Sequence, residues 1–156
     1  MVQMPKNKYI SLFNELQKPD DLETKPNDRV LVIDGLNTFI RCFAVNPSTN
    51  DDGIHIGGIV GFLKSIGYAI KTQNPTRCVI VFDGKGGSQR RRKIFPDYKE
   101  KRRVNTRFNR TNDFSSFADE QQSLKMQITR LLGYLNTLPL TTLMIENVEA
   151  DDVMAY

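Results

Sequence analysis

Residues that bind zinc or form disulfides are scarce in this sequence. It contains one histidine, His55, and two cysteines, Cys42 and Cys78, which lie 36 positions apart and form no Cys-x-x-Cys pair. These numbers argue against a structural zinc site and against a disulfide framework. Both cysteines lie beside apolar residues and are predicted to be buried free thiols in a reducing compartment. His55 is predicted to be a surface residue in a loop.

Long apolar runs are also absent. The longest stretches, 30–33 and 79–82, are far shorter than the roughly 20 residues that a membrane-spanning helix needs. The polar N-terminus, with Lys6, Asn7 and Lys8, does not resemble a signal peptide. With 156 residues and 39% hydrophobic content, the chain is expected to form one compact domain of a soluble, cytoplasmic protein that contacts no membrane.

Positive charge is concentrated in one segment. Residues 85–110 contain 11 Lys or Arg and 2 acids, a local charge of +9, whereas the rest of the chain has 11 basic and 16 acidic residues, or −5. Such a block suggests a polyanionic partner, because basic side chains on phosphates release condensed counterions. The alternative is a solvated basic loop without a partner.

Hydrophobic patterns predict alternating strands and helices after a polar extension at 1–28. The predicted strands are 29–34, 77–83 and 141–145, and the predicted helices are 36–44, 57–72, 115–136 and one that begins near 148. The segment 85–110 is predicted to be a loop with a helical stretch around 97–103. This order implies a mainly parallel sheet with helices on its faces, a three-layer αβα fold.

Acidic residues follow all three predicted strands. Asp34 ends the first strand and Asp83 ends the second, while Glu149, Asp151 and Asp152 come just after the third. In a parallel sheet these carboxylates meet at one edge, where they would repel each other unless a cation were bound. Oxygen ligands favour Mg²⁺ or Mn²⁺.

Each acid also has a simpler interpretation. An Asp after a strand is often a helix N-cap or a turn residue, and acids in the first turn of a helix complement its dipole. A shared metal role is favoured because it accounts for all five acids together.

Three motifs resemble the 5′-3′ exonuclease and flap endonuclease family, whose nuclease domain has a PIN-like fold. The first is Val-Ile-Asp-Gly-Leu-Asn at 32–37, followed by Arg41. The second is Val-Phe-Asp-Gly-Lys at 81–85, followed by Ser-Gln-Arg at 88–90 and by Pro-Asp-Tyr-Lys-Glu-Lys-Arg at 96–102. The third is Val-Glu-Ala-Asp-Asp-Val at 148–153. Together they run in the family's order from about residue 29 to 156, and they are closest in style to the bacterial polymerase-associated and bacteriophage branches.

The resemblance implies a nuclease that hydrolyses phosphodiesters near DNA 5′ ends during replication or repair. Its substrates would be flaps, nicks or primer RNA, including an RNA–DNA hybrid. It implies that the five acids hold Mg²⁺ or Mn²⁺, with two ions in the complete family site. Lys99 and Arg102 would act on the scissile phosphate, and Tyr98 could stack on the terminal base. The remaining expected DNA contacts are Arg41, Lys85, Arg90, Arg91, Arg92, Lys93, Lys101, Arg103, Arg107 and Arg110, most of them in the basic loop or arch at 85–110.

The family pattern continues beyond the third motif, with further acids for the second metal and a helical module for duplex DNA. The fold is therefore expected to be incomplete at the C-terminus, through a truncated gene, a split gene with a separate C-terminal half, or an incomplete sequence. The 156-residue chain is expected to bind one ion weakly and to cleave poorly. A rival interpretation is a non-catalytic nucleic-acid-binding module. A phosphatase is disfavoured, because Leu36 stands where an Asp-x-Asp motif needs its second acid.

Overall fold

The computed structural model describes residues 25–98 and 107–156. Three parallel strands form one sheet in the order β1-β2-β3. The elements in chain order are β1 (Val30–Asp34), α1 (Gly35–Val45), α2 (Gly57–Gln73), β2 (Arg77–Phe82), α3 (Gln89–Ile94), α4 (Phe117–Leu135), β3 (Thr141–Met144) and α5 (Ala150–Ala155).

The strands are paired so that their carboxyl ends meet at one edge of the sheet. Asp34, the last residue of β1, lies opposite Val81, and Phe82, the last residue of β2, lies opposite Met144 of β3. Residues that follow β2 and β3 therefore leave the sheet beside the end of β1. This is the edge at which parallel α/β sheets bind ligands.

The main core lies on one face of the sheet. It is built from α1, α2, β2 and α4, and its buried residues are Phe39, Phe43, Ile59, Phe62, Ile66, Cys78, Ile80, Phe82, Leu131 and Leu135. Leu31 and Ile33 of β1 pack against this core, whereas the alternating residues Val30 and Val32 are 45% and 44% exposed. Because alternate side chains of a strand point to opposite faces, the second face of β1 is open in the described part of the chain.

Local signals fix the ends of the long helices. The Ser116 hydroxyl accepts a hydrogen bond from the Asp119 amide at 3.1 Å, which caps the start of α4. At the end of α2, Asn74 adopts a left-handed conformation with φ of 42°, as helix C-termini often require. None of the described helices combines the length and the apolar character that crossing a membrane would require.

The basic segment contains a helix that was not predicted. This helix is α3, at 89–94, and it is followed by a turn at 95–98 in which the Tyr98 amide donates to the Phe95 carbonyl at 3.0 Å. Periodicity could not reveal α3, because none of its residues is buried. The rest of the expected helical stretch lies outside the described residues, as does 1–24 of the N-terminal extension.

The prediction that His55 is a surface residue is wrong. His55 is 5% exposed, and its Nε2 lies 2.8 Å from the carbonyl oxygen of Asn46. The side chain of Gln127, on α4, donates to the His55 carbonyl at 2.8 Å and accepts from the Gly58 amide at 2.9 Å. Gln127 is fully buried, so it satisfies backbone groups that water cannot reach. Of the two cysteines, Cys78 is buried as predicted, Cys42 is partly buried, and both are free.

Replacing Gln127 by alanine should lower the free energy of unfolding by roughly 2 to 4 kcal/mol, because a buried N–H and a buried C=O lose their partners. The matched control is Gln122→Ala on the same helix, where the side chain is exposed. That change should stay within about 0.5 kcal/mol of the unaltered protein. Urea denaturation measures both. Equal effects for the two variants would contradict the bridging role of Gln127.

Candidate metal centre

Four of the five predicted acids line one cavity at the carboxyl edge of the sheet. The cavity has a volume of ≈ 340 Å³ and is lined by Asp34, Leu36, Asn37, Ile40, Asp83, Glu149 and Asp151. Asp34 comes from the end of β1, Asp83 follows β2, and Glu149 and Asp151 stand at the start of α5. Asp152 does not line the cavity. The structure thus brings these four acids together, and their role in metal binding stays a prediction.

Asp34 and Asp83 each use one carboxylate oxygen in a structural bond. Oδ1 of Asp34 accepts from the Asn37 amide at 2.9 Å and caps α1, while Oδ1 of Asp83 accepts from the Ala150 amide at 2.8 Å and ties β2 to α5. Among the described residues, Oδ2 of either carboxylate receives no hydrogen bond. The helix-capping interpretation and the metal interpretation are therefore compatible, because each Asp has a second oxygen.

Two of the three acids of the third motif, Glu149 and Asp152, contact a guanidinium group. Arg91, on α3, forms ion pairs with Glu149 and with Asp152. Its Nη1 donates to the Tyr98 hydroxyl at 2.8 Å, and that hydroxyl in turn donates to Oε2 of Glu149 at 2.9 Å. The guanidinium also lies over the Tyr98 ring, 5.5 Å from its centroid. Tyr98 thus lies beside Glu149 and contacts its carboxylate, and the predicted stacking of Tyr98 on a terminal base stays a prediction.

Arg91 is charged at physiological pH, as arginine always is, and its contacts strengthen its hold on the proton. The hydrogen bond to Tyr98, followed by the interactions with Asp152 and Glu149, raises the pKa of Arg91 above its ordinary value, against a smaller lowering by desolvation. Arg91 was predicted to contact DNA, and its pairing with two of the acids was not foreseen. The lining residues Leu36, Asn37 and Ile40 were also not foreseen, although Asn37 stands three residues after Asp34, at the spacing of a helix cap.

The donor set fits a hard divalent cation, although the acids are not yet gathered around a single point. Within 25–98 and 107–156, no three His, Cys, Asp or Glu side chains lie close enough together to hold an ion as they stand. The cavity is nevertheless lined by carboxylates from three strand ends, and oxygen ligands of this kind suit Mg²⁺ or Mn²⁺. Glu149 contacts Arg91 and Tyr98.

The predicted basic contacts divide into two groups. Four of them lie outside the described residues: Lys99, Lys101, Arg102 and Arg103. Lys99 and Arg102 are the two residues that were predicted to act on the scissile phosphate. The described ones other than Arg91 are exposed: Arg41 on α1, Lys85 before α3, Arg90, Arg92 and Lys93 on α3, and Arg107 and Arg110 before α4. None of these exposed side chains forms an ion pair with an acid of the described residues, and their contact with DNA stays a prediction.

The glycine-bearing loop after β2 and the loop after β3 bring the second and third acidic motifs together. The Gly84 amide donates to the Val148 carbonyl at 3.1 Å, and the Asn147 amide donates to the Lys85 carbonyl at 2.9 Å. A Cβ atom at Gly84 would lie 1.7 Å from the carbonyl oxygen of Ile145. Only glycine allows this approach, which holds Asp83 beside Glu149.

Comparison with known proteins identifies a family. Residues 29–156 match a family model described as the 5′-3′ exonuclease, N-terminal resolvase-like domain. The chain is 30% identical over 126 residues to a 5′-3′ exonuclease of Aquifex aeolicus, a match that covers 80% of this chain and 38% of the relative. It is 30% identical over 129 residues to the flap endonuclease Xni of a Shewanella strain, covering 82% and 42% of the two chains.

A solved structure supports the fold. The 5′-exonuclease of bacteriophage T5 with bound zinc superposes with a TM-score of 0.60 at 19% identity, over 82% of this chain and 43% of that one. The predicted three-layer αβα class is thereby confirmed. The chain spans about two fifths of the length of the relatives described here.

Replacing Gly84 by alanine should destabilise the protein and separate Asp83 from Glu149, because the added methyl group collides with the backbone of Ile145. We expect a loss of more than about 2 kcal/mol in the free energy of unfolding. Gly133 in α4 is the matched control, since a Cβ atom there meets nothing within 4 Å. Gly133→Ala should stabilise the protein by about 0.5 to 1 kcal/mol. Thermal denaturation distinguishes the two, and equal behaviour would refute the steric argument.

Proposed function

The chain belongs to the 5′-3′ exonuclease family, whose N-terminal resolvase-like domain it contains, and we propose that it is the metal-binding part of a 5′ nuclease. The enzyme would hydrolyse phosphodiesters near DNA 5′ ends in replication or repair. The observation that carries this proposal is the convergence of Asp34, Asp83, Glu149 and Asp151 on one cavity at the carboxyl edge of the sheet. We also propose that the enzyme acts in the cytoplasm of a bacterial or phage-infected cell.

Mg²⁺ or Mn²⁺ would be held by Asp34, Asp83, Glu149 and Asp151, with Asp152 acting through water. When bound, such an ion lowers the pKa of a coordinated water and offsets the negative charge of a phosphate. Oδ1 of Asp34 and of Asp83 accepts from a backbone amide, so the other oxygen of each carboxylate would bind the cation. The protein thus supplies carboxylates whose positions are fixed by the sheet edge and by the starts of α1 and α5.

The substrate would be held by basic side chains. Lys99 and Arg102, one helical turn apart if that stretch is helical, would clamp the scissile phosphate opposite the acids. Arg41 would contact a further phosphate, and exposed cations of α3 would follow the single-stranded 5′ end. Flaps, nicks and RNA–DNA hybrids are all proposed substrates, and a separately supplied C-terminal half is a proposed partner for full activity.

The metal site is tested by changing Asp83 and Asp151 together to alanine. Their loss should weaken Mn²⁺ binding by more than the 10- to 100-fold that loss of an outer-shell partner costs. It should also abolish the slow cleavage of 5′-flap DNA that we expect from the chain. The control is the double change of Asp51 and Asp113, two exposed acids outside this cavity. Calorimetric Mn²⁺ titration and a gel assay measure the effects, and cleavage surviving in the D83A/D151A variant would rule out this mechanism.

The basic surface is tested by changing Arg90, Arg92 and Lys93 to glutamine. Each phosphate contact contributes about 0.7 to 0.9 to the slope of log affinity against log salt, so the triple variant should lose roughly 2 to 3 in that slope. The control removes the same charge from exposed positions of α2 and α4, at Lys64, Lys125 and Arg130. Fluorescence anisotropy with 5′-flap DNA in Ca²⁺ at several salt concentrations measures both. Equal slopes in the two triple variants would contradict a DNA path along α3.

A further inference from the structure

Arg91 stands at the acidic cluster where the proposed function requires a cation. It forms ion pairs with Glu149 and with Asp152, two acids of the same motif that lie at the start of α5. The planar fork of a guanidinium can serve two carboxylates at once, which the compact ammonium group of a lysine does less well. Arg91 therefore neutralises part of the charge that the sheet edge collects.

Glu149 needs such a counter-charge. The residue is 2% exposed, and a buried carboxylate is costly unless it is paired and hydrogen-bonded. Its described partners are Arg91 and the Tyr98 hydroxyl. The guanidinium of Arg91 thus provides a full positive charge to this carboxylate.

The contact is built so that it can be exchanged. The Arg91 side chain is 32% exposed and Asp152 is 43% exposed, so the guanidinium can turn into water without unpacking a core. It stands on α3, a helix of six residues with no buried side chain. Because a guanidinium stays protonated at physiological pH, the attraction of Arg91 to the acids is relieved by movement and not by loss of a proton.

A divalent cation and Arg91 compete for the same negative charge. A guanidinium close to a bound divalent cation would repel it, and each of them would weaken the other's hold on Glu149. Arg91 belongs to the basic segment proposed to contact DNA, so a phosphate is a ready alternative partner for it.

We propose that Arg91 is an exchangeable counter-ion, which holds Glu149 and Asp152 in the metal-free protein and is released from Glu149 when a divalent cation binds. The released guanidinium is then free to meet a substrate phosphate. Arg91 is on this view a positioning residue that links the state of the acidic cluster to the basic segment. The proposal rests on the proposed function, because it takes the acids to be metal ligands.

The experiment compares the Arg91→Gln variant with Arg92→Gln, the matched control. Arg92 follows Arg91 on α3, is exposed, and makes no ion pair with the acids of the described chain, so both changes remove one positive charge from the same short helix. Two quantities are measured without DNA: the Mn²⁺ dissociation constant by calorimetry, and the melting temperature in EDTA and in excess Mn²⁺.

In EDTA, R91Q should melt at a lower temperature than R92Q, because Glu149 loses its counter-charge. R91Q should bind Mn²⁺ on the order of tenfold more tightly than the unaltered protein at low salt. R92Q should bind Mn²⁺ like the unaltered protein. The rise in melting temperature on adding Mn²⁺ should therefore be largest for R91Q.

Two results would overturn the proposal while leaving the metal site intact. Equal Mn²⁺ affinity of R91Q and R92Q would mean that Arg91 does not compete with the ion. Weaker binding by R91Q would mean that Arg91 orients Glu149 for the metal and stays in place. If the unaltered protein and R91Q both bind no Mn²⁺, the proposed function fails at its metal site and this proposal fails with it, an outcome distinct from the other two.

Discussion

Parallel pairing of three strands forces all their carboxyl ends to one edge of the sheet, and the acidic motifs of this chain all lie at those ends. The register places Asp34 opposite Val81, so the residues after β2 leave the sheet beside the start of α1. The close approach at Gly84 then joins the loop after β2 to the loop after β3. The parallel register and the close approach at Gly84 together bring the carboxylates of Asp34, Asp83, Glu149 and Asp151 to one cavity.

Collecting so much negative charge must be balanced within the fold. Backbone amides at Asn37 and Ala150 each take one oxygen of an Asp, and the start of a helix favours nearby anions. Arg91 forms ion pairs with Glu149 and Asp152. The two kinds of support differ in consequence, since a backbone amide stays in place while a half-exposed guanidinium can leave.

The parts of the fold that depend on short-range patterns could be predicted from the sequence. Unbroken β-branched runs revealed β1 and β2, and helical periodicity revealed α2 and α4, each to within two residues. The gathering of four acids followed from the rule about parallel strand ends. Asp152 was assigned with them because it also follows the third strand and belongs to the third motif, yet it pairs with Arg91 and does not line the cavity.

What could not be predicted depends on contacts between distant residues. The buried His55 packs against Phe43 and Phe114 and is bonded by Gln127, 72 positions away. Arg91 contacts Glu149 across 58 positions. A local sequence pattern does not show which distant residues are in contact in the fold. His55 and Arg91 were therefore interpreted from their neighbours in the sequence. This gave the wrong exposure for His55 and missed the ion pairs of Arg91 with Glu149 and Asp152.

The basic segment is tied down differently on the two sides of residues 99–106. On the far side, the fully buried Glu120 accepts the backbone amides of Phe108 and Asn109 at 2.6 and 2.8 Å. These bonds join α4 to the main chain and involve none of the acids at the cavity. On the near side, Arg91 and Tyr98 are held by Glu149, a lining residue of the cavity. On the proposed exchange, a cation in the cavity would therefore act on the end of the segment that carries Arg91, whereas the bonds of Glu120 at the other end involve none of the acids of the cavity.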